Sequence, residues 1–103
     1  MSRCDFTPQA AEDLREVARY ARASWGVTQA RHYRQELELS LKKLSLAPMF
    51  GPEREELGPK VRSFVVGSYV AYYVVARSGV TVVRLLHQSM DVANALESSG
   101  EKE

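Results

Sequence analysis

Three segments in the last third of the chain are apolar at both odd and even positions. The clearest is Tyr69–Ala76, which contains no charged residue, and its neighbours are Val61–Val66 and Val80–His87. Short turns at Gly67-Ser68, a hairpin of the glycine-first type, and at Ser78-Gly79 connect the three runs. Antiparallel strands joined by tight turns normally alternate apolar with polar residues, because one face is wet. We therefore predict a three-stranded meander with one face covered by helices and the other by a partner protein.

The first half of the chain predicts a short strand over residues 3–7 and then two helices. Thr7-Pro8 is a typical helix start, with a hydroxyl at the cap and proline at the first helical position. Gly26 interrupts the pattern, and Thr28 is the predicted cap of a second helix that ends near Leu46. The four-residue joint over residues 24–27 predicts an antiparallel helical hairpin, with Trp25 filling its bend. The predicted apolar stripes are Ala10, Leu14, Val17, Ala18 and Ala21 on the first helix and Ala30, Tyr33, Leu37, Leu39, Leu41 and Leu44 on the second.

The resulting element order is β-α-α-β-β-β, with a short helix predicted over residues 92–96. One strand before a helical hairpin and a meander after it predict an α+β domain, in which the hairpin packs on one face of a mainly antiparallel sheet. We expect residues 1–96 to form this single domain and the polar residues 97–103 to form a flexible tail. The proline- and glycine-rich segment over residues 47–60 is predicted to be a long loop, and loops of this length often have a functional or docking role.

The composition limits the classes of function. A formal net charge of +1 over 103 residues does not suit a strongly basic nucleic-acid binder. The single cysteine, Cys4, cannot form an internal disulfide, which suits a reducing compartment. No apolar run has the length of a signal peptide or of a membrane span. We therefore expect a cytoplasmic protein that contacts no membrane and binds no nucleic acid directly.

Several short motifs, in order and at the right separations, resemble the ParE branch of the RelE/ParE toxin superfamily. They are Phe6-Thr7-Pro8, Ala10, Asp13-Leu14, Tyr20, Trp25-Gly26, Val61–Phe64, Gly67–Tyr69, Tyr73 and Val83–Asp91. The resemblance covers most of the chain and implies a bacterial toxin that a cognate antitoxin from the same operon holds inactive. It also implies DNA gyrase as the usual target.

The resemblance also implies a chemistry for the partner. Residues 57–91 contain four basic residues against Asp91 alone, a local charge of +3, which suits the acidic amphipathic C-terminal segment of a ParD-like antitoxin. We expect a hetero-oligomer with this antitoxin. The predicted antitoxin- or target-binding residues are Trp25, Arg62, Tyr72, Arg84, His87, Met90 and Asp91. For Arg62 and Arg84, pairing with a carboxylate of the same chain is an equally good interpretation.

Catalysis is not expected. The sister RelE branch cleaves messenger RNA with cations and proton-transfer groups, and an approximate alignment places Val61, Ser63 and Val70 at those positions. His87 near Asp91 is the pair that could restore a general base, although a structural hydrogen bond is the simpler interpretation. No catalytic residue, metal or cofactor is predicted.

Three alternatives to gyrase poisoning follow from the same residues. A RelE-like, ribosome-dependent endonuclease and a non-toxic interaction module both remain open. Direct DNA binding fits poorly because the chain lacks a strongly basic helix. His32 and Glu36, four residues apart on the second helix, are too few ligands to predict a metal site.

Overall fold

The computed structural model describes residues 3–89, which form two helices and a four-stranded sheet. In the sheet, the strand order is β1-β4-β3-β2, with β1 parallel to β4 and the other pairs antiparallel. The predicted α+β fold is confirmed, whereas the predicted helix over 92–96 and the tail lie outside the described residues. The elements are β1 (Arg3–Phe6), α1 (Pro8–Trp25), α2 (Val27–Leu46), a short 3₁₀ helix (Glu55–Leu57), β2 (Arg62–Val66), β3 (Tyr69–Ala76) and β4 (Gly79–His87).

Thr7 fixes the start of α1 and ties it to the sheet. Its hydroxyl oxygen accepts a hydrogen bond from the backbone N–H of Ala10 at 3.1 Å, which is the predicted cap. The same hydroxyl donates to the carbonyl of Val83 at 2.8 Å, and the Thr7 N–H donates to the carbonyl of Val82. One residue therefore satisfies a free helix donor and sets the position of α1 along β4.

The joint between the helices is shorter than predicted. Gly26 alone reverses the chain, with a φ of 89° that glycine adopts readily, and its N–H donates to the carbonyl of Arg22. The prediction that Thr28 caps α2 is therefore wrong, since Thr28 lies inside the helix. Trp25 does not fill the bend either, because it is 52% exposed.

The main core lies between the helical hairpin and one face of the sheet. Cys4 and Phe6 of β1 pack against its rim. Leu39, predicted to widen the α2 stripe, is 61% exposed, so this prediction is wrong. The buried members are Ala10, Leu14, Val17, Leu37, Leu41 and Leu44 from the helices and Ala71, Tyr73, Val80, Val82 and Leu85 from the sheet.

The second face of the sheet is partly covered by the chain itself. Val70, Tyr72 and Leu86 form a smaller buried cluster there, and Leu57 and Val61 pack against it. The segment over residues 47–60 reaches this face because Glu53 pairs with Arg62 of β2 in an isolated β-bridge. The 3₁₀ helix begins two residues later, at Glu55. The prediction that only a partner protein covers this face is therefore wrong for its centre.

The two hairpins differ in how well the sequence predicted them. The first turn is Gly67-Ser68, as predicted, and Gly67 has the positive φ of 61° that a glycine-first turn requires. The second turn is Arg77-Ser78, since Gly79 already pairs with Ala76 in the ladder. A Cβ at Gly79 would lie 1.9 Å from the carbonyl oxygen of Arg3, so this glycine allows β1 to approach β4.

β1 covers only half of the outer edge of β4. Their pairing ends at Phe6 and Val82. At the next residue, a register shift between β4 and β3 leaves Val83 as an extra residue, a β-bulge. Beyond the bulge, α1 lies along the edge, and the Asp13 carboxylate accepts a hydrogen bond from the backbone N–H of Leu85 at 3.0 Å. Asp13 therefore occupies a position that a neighbouring strand would otherwise fill.

Arg84 completes this connection between α1 and β4. Its guanidinium donates to both carboxylate oxygens of Asp13, from Nε at 2.7 Å and from Nη2 at 3.0 Å. The two side chains are only 15% and 14% exposed, so the pair is largely withdrawn from water. Breaking such a pair is costly because the remaining charge stays buried.

Leu37 and Leu39 provide a matched test of the α2 stripe. Leu37 is 2% exposed, so Leu37→Asp buries an unpaired carboxylate and should cost several kcal/mol, comparable with the whole stability of a small domain. Leu39→Asp should change the free energy of unfolding by less than about 0.5 kcal/mol. Urea unfolding followed by circular dichroism measures both, and equal effects would contradict the placement of the two faces.

Asp13→Asn tests the connection between α1 and β4. We expect it to lower the free energy of unfolding by about 3 kcal/mol, because the guanidinium of Arg84 then lacks its charged partner. The control is Glu38→Gln, which removes the exposed ion pair with Arg34 and should cost less than about 0.5 kcal/mol. A loss for Asp13→Asn as small as that of the control would show that the pair does not stabilise the fold.

Candidate functional site

A groove of about 410 Å³ runs between α1 and the half of the β4 edge that β1 leaves uncovered. Its apolar lining includes Val17 and Leu85, and its charged lining residues include Asp13 and Arg84. Its shape follows from the bulge and from Asp13, which set how closely α1 approaches β4. The lining residues are Asp13, Glu16, Val17, Tyr20, Tyr69, Arg84, Leu85, Leu86 and His87.

A second cavity of about 260 Å³ continues the groove toward the bend of the helical hairpin. The two cavities share Val17, Tyr20, Tyr69 and His87, so they form one surface that we call the α1–β4 groove. The second cavity adds the residues Ala21, Trp25, Tyr33, Gly67 and Ser68.

The bend end of the α1–β4 groove is lined by aromatic rings. Trp25 meets Tyr33 edge-on with 5.5 Å between ring centroids, and Tyr69 meets His87 in the same way at 5.4 Å. Tyr20 is 63% exposed beside them. Burial raises the pKa of both Tyr33 and Tyr69, so their hydroxyls stay protonated at neutral pH. Such rings combine a large apolar area with a polar hydroxyl or N–H, which is typical of protein interfaces.

The charged groups of the groove are already engaged within the chain. Arg84 is held by Asp13, and Glu16 pairs with Arg19 on the outer face of α1. His87 accepts a hydrogen bond at Nδ1 from the backbone N–H of Ser89 at 3.2 Å, with the Ser89 hydroxyl 2.9 Å away. The surface that remains for a ligand is mainly apolar and aromatic.

The structure brings three of the predicted binding residues, Trp25, Arg84 and His87, into the α1–β4 groove. The predicted contacts Met90 and Asp91 lie outside the described residues. The pairing of His87 with Asp91 as a general base therefore stays untested.

The other two predicted binding residues lie elsewhere. Tyr72 is 6% exposed on the second face of the sheet, where the guanidinium of Arg54 lies 5.9 Å from its ring centroid. Arg62 is 13% exposed at its side chain, pairs with Glu53 and donates to the carbonyls of Met49 and Gly51. For Arg62 and Arg84, the interpretation as partners of carboxylates in the same chain is confirmed.

Sequence reasoning did not predict that Asp13, Tyr20 and Tyr69 line the groove. Asp13 precedes Leu14 on the border of the apolar stripe of α1, and a carboxylate at such a border can reach a neighbouring strand. Tyr20 lies three residues after Val17 in the helical period, which places it next to the buried stripe. These positions indicate a contact only when it is known which element packs beside α1.

The described residues also limit other chemistries. Burial, reinforced by Asp5, raises the pKa of the Cys4 thiol to about 11, so the reactive thiolate is scarce at neutral pH. Within residues 3–89, no group of three or more His, Cys, Asp or Glu side chains could hold a metal ion. In the same part of the chain, no helix combines the length and the apolar character that crossing a membrane requires.

Comparisons with known proteins agree with the fold and with the resemblance. The sequence model of the family described as "ParE toxin of type II toxin-antitoxin system, parDE" matches residues 4–92. Toxin ParE1 of Mycobacterium tuberculosis is 36% identical over 92 residues, which cover 88% of this chain and 94% of that protein.

Two solved structures share the fold. One is from the chromosomal ParDE toxin–antitoxin system of P. aeruginosa, with a TM-score of 0.71 and 21% identity, covering 84% of this chain and 96% of that one. The other is from the toxin–antitoxin complex RelBE2 of Mycobacterium tuberculosis, with a TM-score of 0.57 and 24% identity, covering 84% and 98%. The match of the family model over most of the chain, together with the ParE1 relative, shows that this chain belongs to the ParE family of type II toxin–antitoxin toxins.

Proposed function

We propose that this toxin binds DNA gyrase and that a ParD-like antitoxin neutralises it by placing its C-terminal segment in the α1–β4 groove. The observation that carries the proposal is the groove itself, an apolar and aromatic channel along an incompletely paired strand edge. The structural neighbours support a protein partner, since one comes from a ParDE toxin–antitoxin system and the other from a toxin–antitoxin complex.

The dimensions of the groove suit a polypeptide segment. From Asp13 to Trp25, α1 extends about 18 Å, which is the length of about three turns of a bound helix. Within residues 3–89, half of the β4 edge has no partner strand, and an amphipathic segment can lay apolar side chains along the apolar and aromatic lining of the groove while its polar side faces water.

Electrostatics contributes less to this proposal than the sequence predicted. Two of the four cations counted in residues 57–91, Arg62 and Arg84, have carboxylate partners within the chain. An acidic antitoxin segment would therefore meet a weaker field than the local charge of +3 implies. Apolar contacts with the aromatic end of the groove supply the affinity, and the charges set orientation.

Binding without turnover is the mode of action that the residues favour. At the positions where the RelE branch is expected to carry cations, Ser63 is 7% exposed and Val70 is 9% exposed. Neither side chain can hold a phosphate by charge or transfer a proton at neutral pH. This arrangement supports stoichiometric contact with a protein target over cleavage of messenger RNA.

The gyrase proposal is tested with the toxin purified together with its genomic neighbour and then separated from it. Inhibition of gyrase supercoiling by the free toxin, reversed by adding the neighbour back, is the expected result. Toe-printing of translated messages tests the alternative of a RelE-like endonuclease, because cleavage inside codons would indicate a ribosome-dependent nuclease. Normal growth on expression of a folded toxin would point to a non-toxic interaction module.

A groove variant tests where the antitoxin binds. Tyr20→Ala combined with Trp25→Ala should weaken antitoxin binding at least about ten-fold, because both exposed rings line the groove and aromatic residues dominate interface energetics. Isothermal titration calorimetry measures the affinity. The control is Leu39→Ala, which removes an exposed side chain of α2 that does not line the groove, and should bind normally. Unchanged binding by the double variant would place the antitoxin elsewhere.

A further inference from the structure

The chain displays a second apolar surface at the opposite end of α2 from the groove's aromatic rings. Leu46, at the end of α2, and Met49 and Phe50, which follow it, are 70%, 66% and 73% exposed. We call the segment over residues 46–50 the 46–50 loop. Single exposed apolar residues are ordinary, but three large ones within five consecutive residues are not. None of the three lines the α1–β4 groove.

The backbone of the 46–50 loop is held in one conformation. Ala47 and Phe50 close a turn through a hydrogen bond from the Phe50 N–H to the Ala47 carbonyl at 3.0 Å, with Pro48 at the position where proline favours such a turn. On its other side, Phe50 meets Phe64 of β2 edge-on at 5.9 Å between centroids. The loop is therefore fixed at both its turn and one side chain.

Two side chains of the sheet, those of Tyr73 and Arg62, also hold the backbone of the loop. The hydroxyl of Tyr73, a residue with no exposed surface, donates to the Pro48 carbonyl at 2.7 Å and accepts from the Gly51 N–H at 3.0 Å. Arg62 donates to the carbonyls of Met49 and Gly51. Burial raises the pKa of Tyr73, so its hydroxyl keeps the proton that it donates.

Gly51 allows this close support, since a Cβ there would lie 2.2 Å from the Ser63 carbonyl oxygen. The chain thus uses a buried tyrosine, an arginine and a glycine to fix a loop whose apolar side chains face water. A loop that is ordered before binding loses little entropy when a partner docks.

Charge indicates which partner fits the surface. Lys42 and Lys43 lie one turn before Leu46 on the same part of α2, at the spacings that place helical side chains next to each other. Both are exposed, and neither forms an ion pair with another residue of 3–89. The complementary surface is apolar with an acidic rim.

We propose that the 46–50 loop is the surface through which this toxin contacts its target protein, separate from the groove that the antitoxin occupies. The inference rests on the proposed function. α2 spans about 28 Å between Val27 and Leu46, so the loop is remote from the ring cluster around Trp25. A segment confined to the groove leaves it uncovered.

The test combines Met49→Ser with Phe50→Ser and compares this loop variant with a matched control on α2, Val27→Ser with Leu39→Ser. The control residues are 57% and 61% exposed. We expect the loop variant to lose at least about ten-fold in growth arrest and in gyrase inhibition. Its affinity for the antitoxin should stay within about two-fold of the wild type. The control should match the wild type in every assay.

Each other outcome has a distinct meaning. Wild-type potency of a folded loop variant overturns the inference, and so does weakened antitoxin binding with potency retained, which would assign the loop to the antitoxin. Loop-dependent self-association of the wild type, with potency unchanged, would assign it to a second copy. Growth arrest without gyrase inhibition refutes gyrase as the target, and the loop is then judged by growth arrest alone.

Two further variants keep the apolar side chains of the loop in place. Tyr73→Phe keeps the apolar side chains but removes both hydroxyl hydrogen bonds to the loop backbone. We expect reduced potency with antitoxin affinity unchanged, since only the loop is loosened. Lys42→Gln with Lys43→Gln should lower target binding mainly at low salt, where electrostatic attraction is least screened. Full potency in both variants would contradict the proposed surface.

Discussion

The three hydrogen bonds that the Asp13 carboxylate accepts fix the position of α1 against β4, and the rest of the structure depends on this contact. β1 is too short to cover the outer edge of β4, so half of a central strand would otherwise be left without a neighbour. Asp13 satisfies the Leu85 N–H and pairs with Arg84, and both side chains are about one-seventh exposed. α1 therefore functions as a partial replacement for a strand, and its distance from β4 fixes the width of the groove.

The distribution of apolar surface follows from this arrangement. The helices cover one face of the sheet, and the 3₁₀ helix with Val61 covers the centre of the other. Among residues 3–89, the large apolar side chains that remain exposed are the rings Tyr20 and Trp25 of the groove, Leu46, Met49 and Phe50 of the 46–50 loop, and the separate residues Val27, Leu39, Val65 and Val75. The surplus of apolar residues that the sequence indicates is therefore real, but its two groups of neighbouring exposed side chains lie at the edge of the sheet and beyond α2, whereas Val65 and Val75 are exposed singly on β2 and β3.

The two remaining surfaces differ in how they are prepared for a partner. The α1–β4 groove is a channel whose charged residues already have partners, so it suits the apolar side of a long segment. The 46–50 loop is a protrusion whose backbone is supported by Tyr73 and Arg62, so it suits a preformed pocket. With the groove assigned to the antitoxin and the loop to the target, as proposed, each surface can be tuned without altering the other.

The sequence by itself determined the element order, the Thr7 cap, the glycine-first turn and most of both helical stripes, because these depend on contacts between residues close in the chain. It also determined the family, through motifs spread along most of its length. Only the tertiary structure decided that Trp25 and Leu39 face water, that Thr28 lies inside a helix, and that Arg62 and Arg84 pair within the chain. The place of Thr28 follows from the single-residue turn at Gly26. The other outcomes depend on groups far apart in the sequence, such as Arg84 and Asp13, and a local pattern does not indicate which distant element packs beside it.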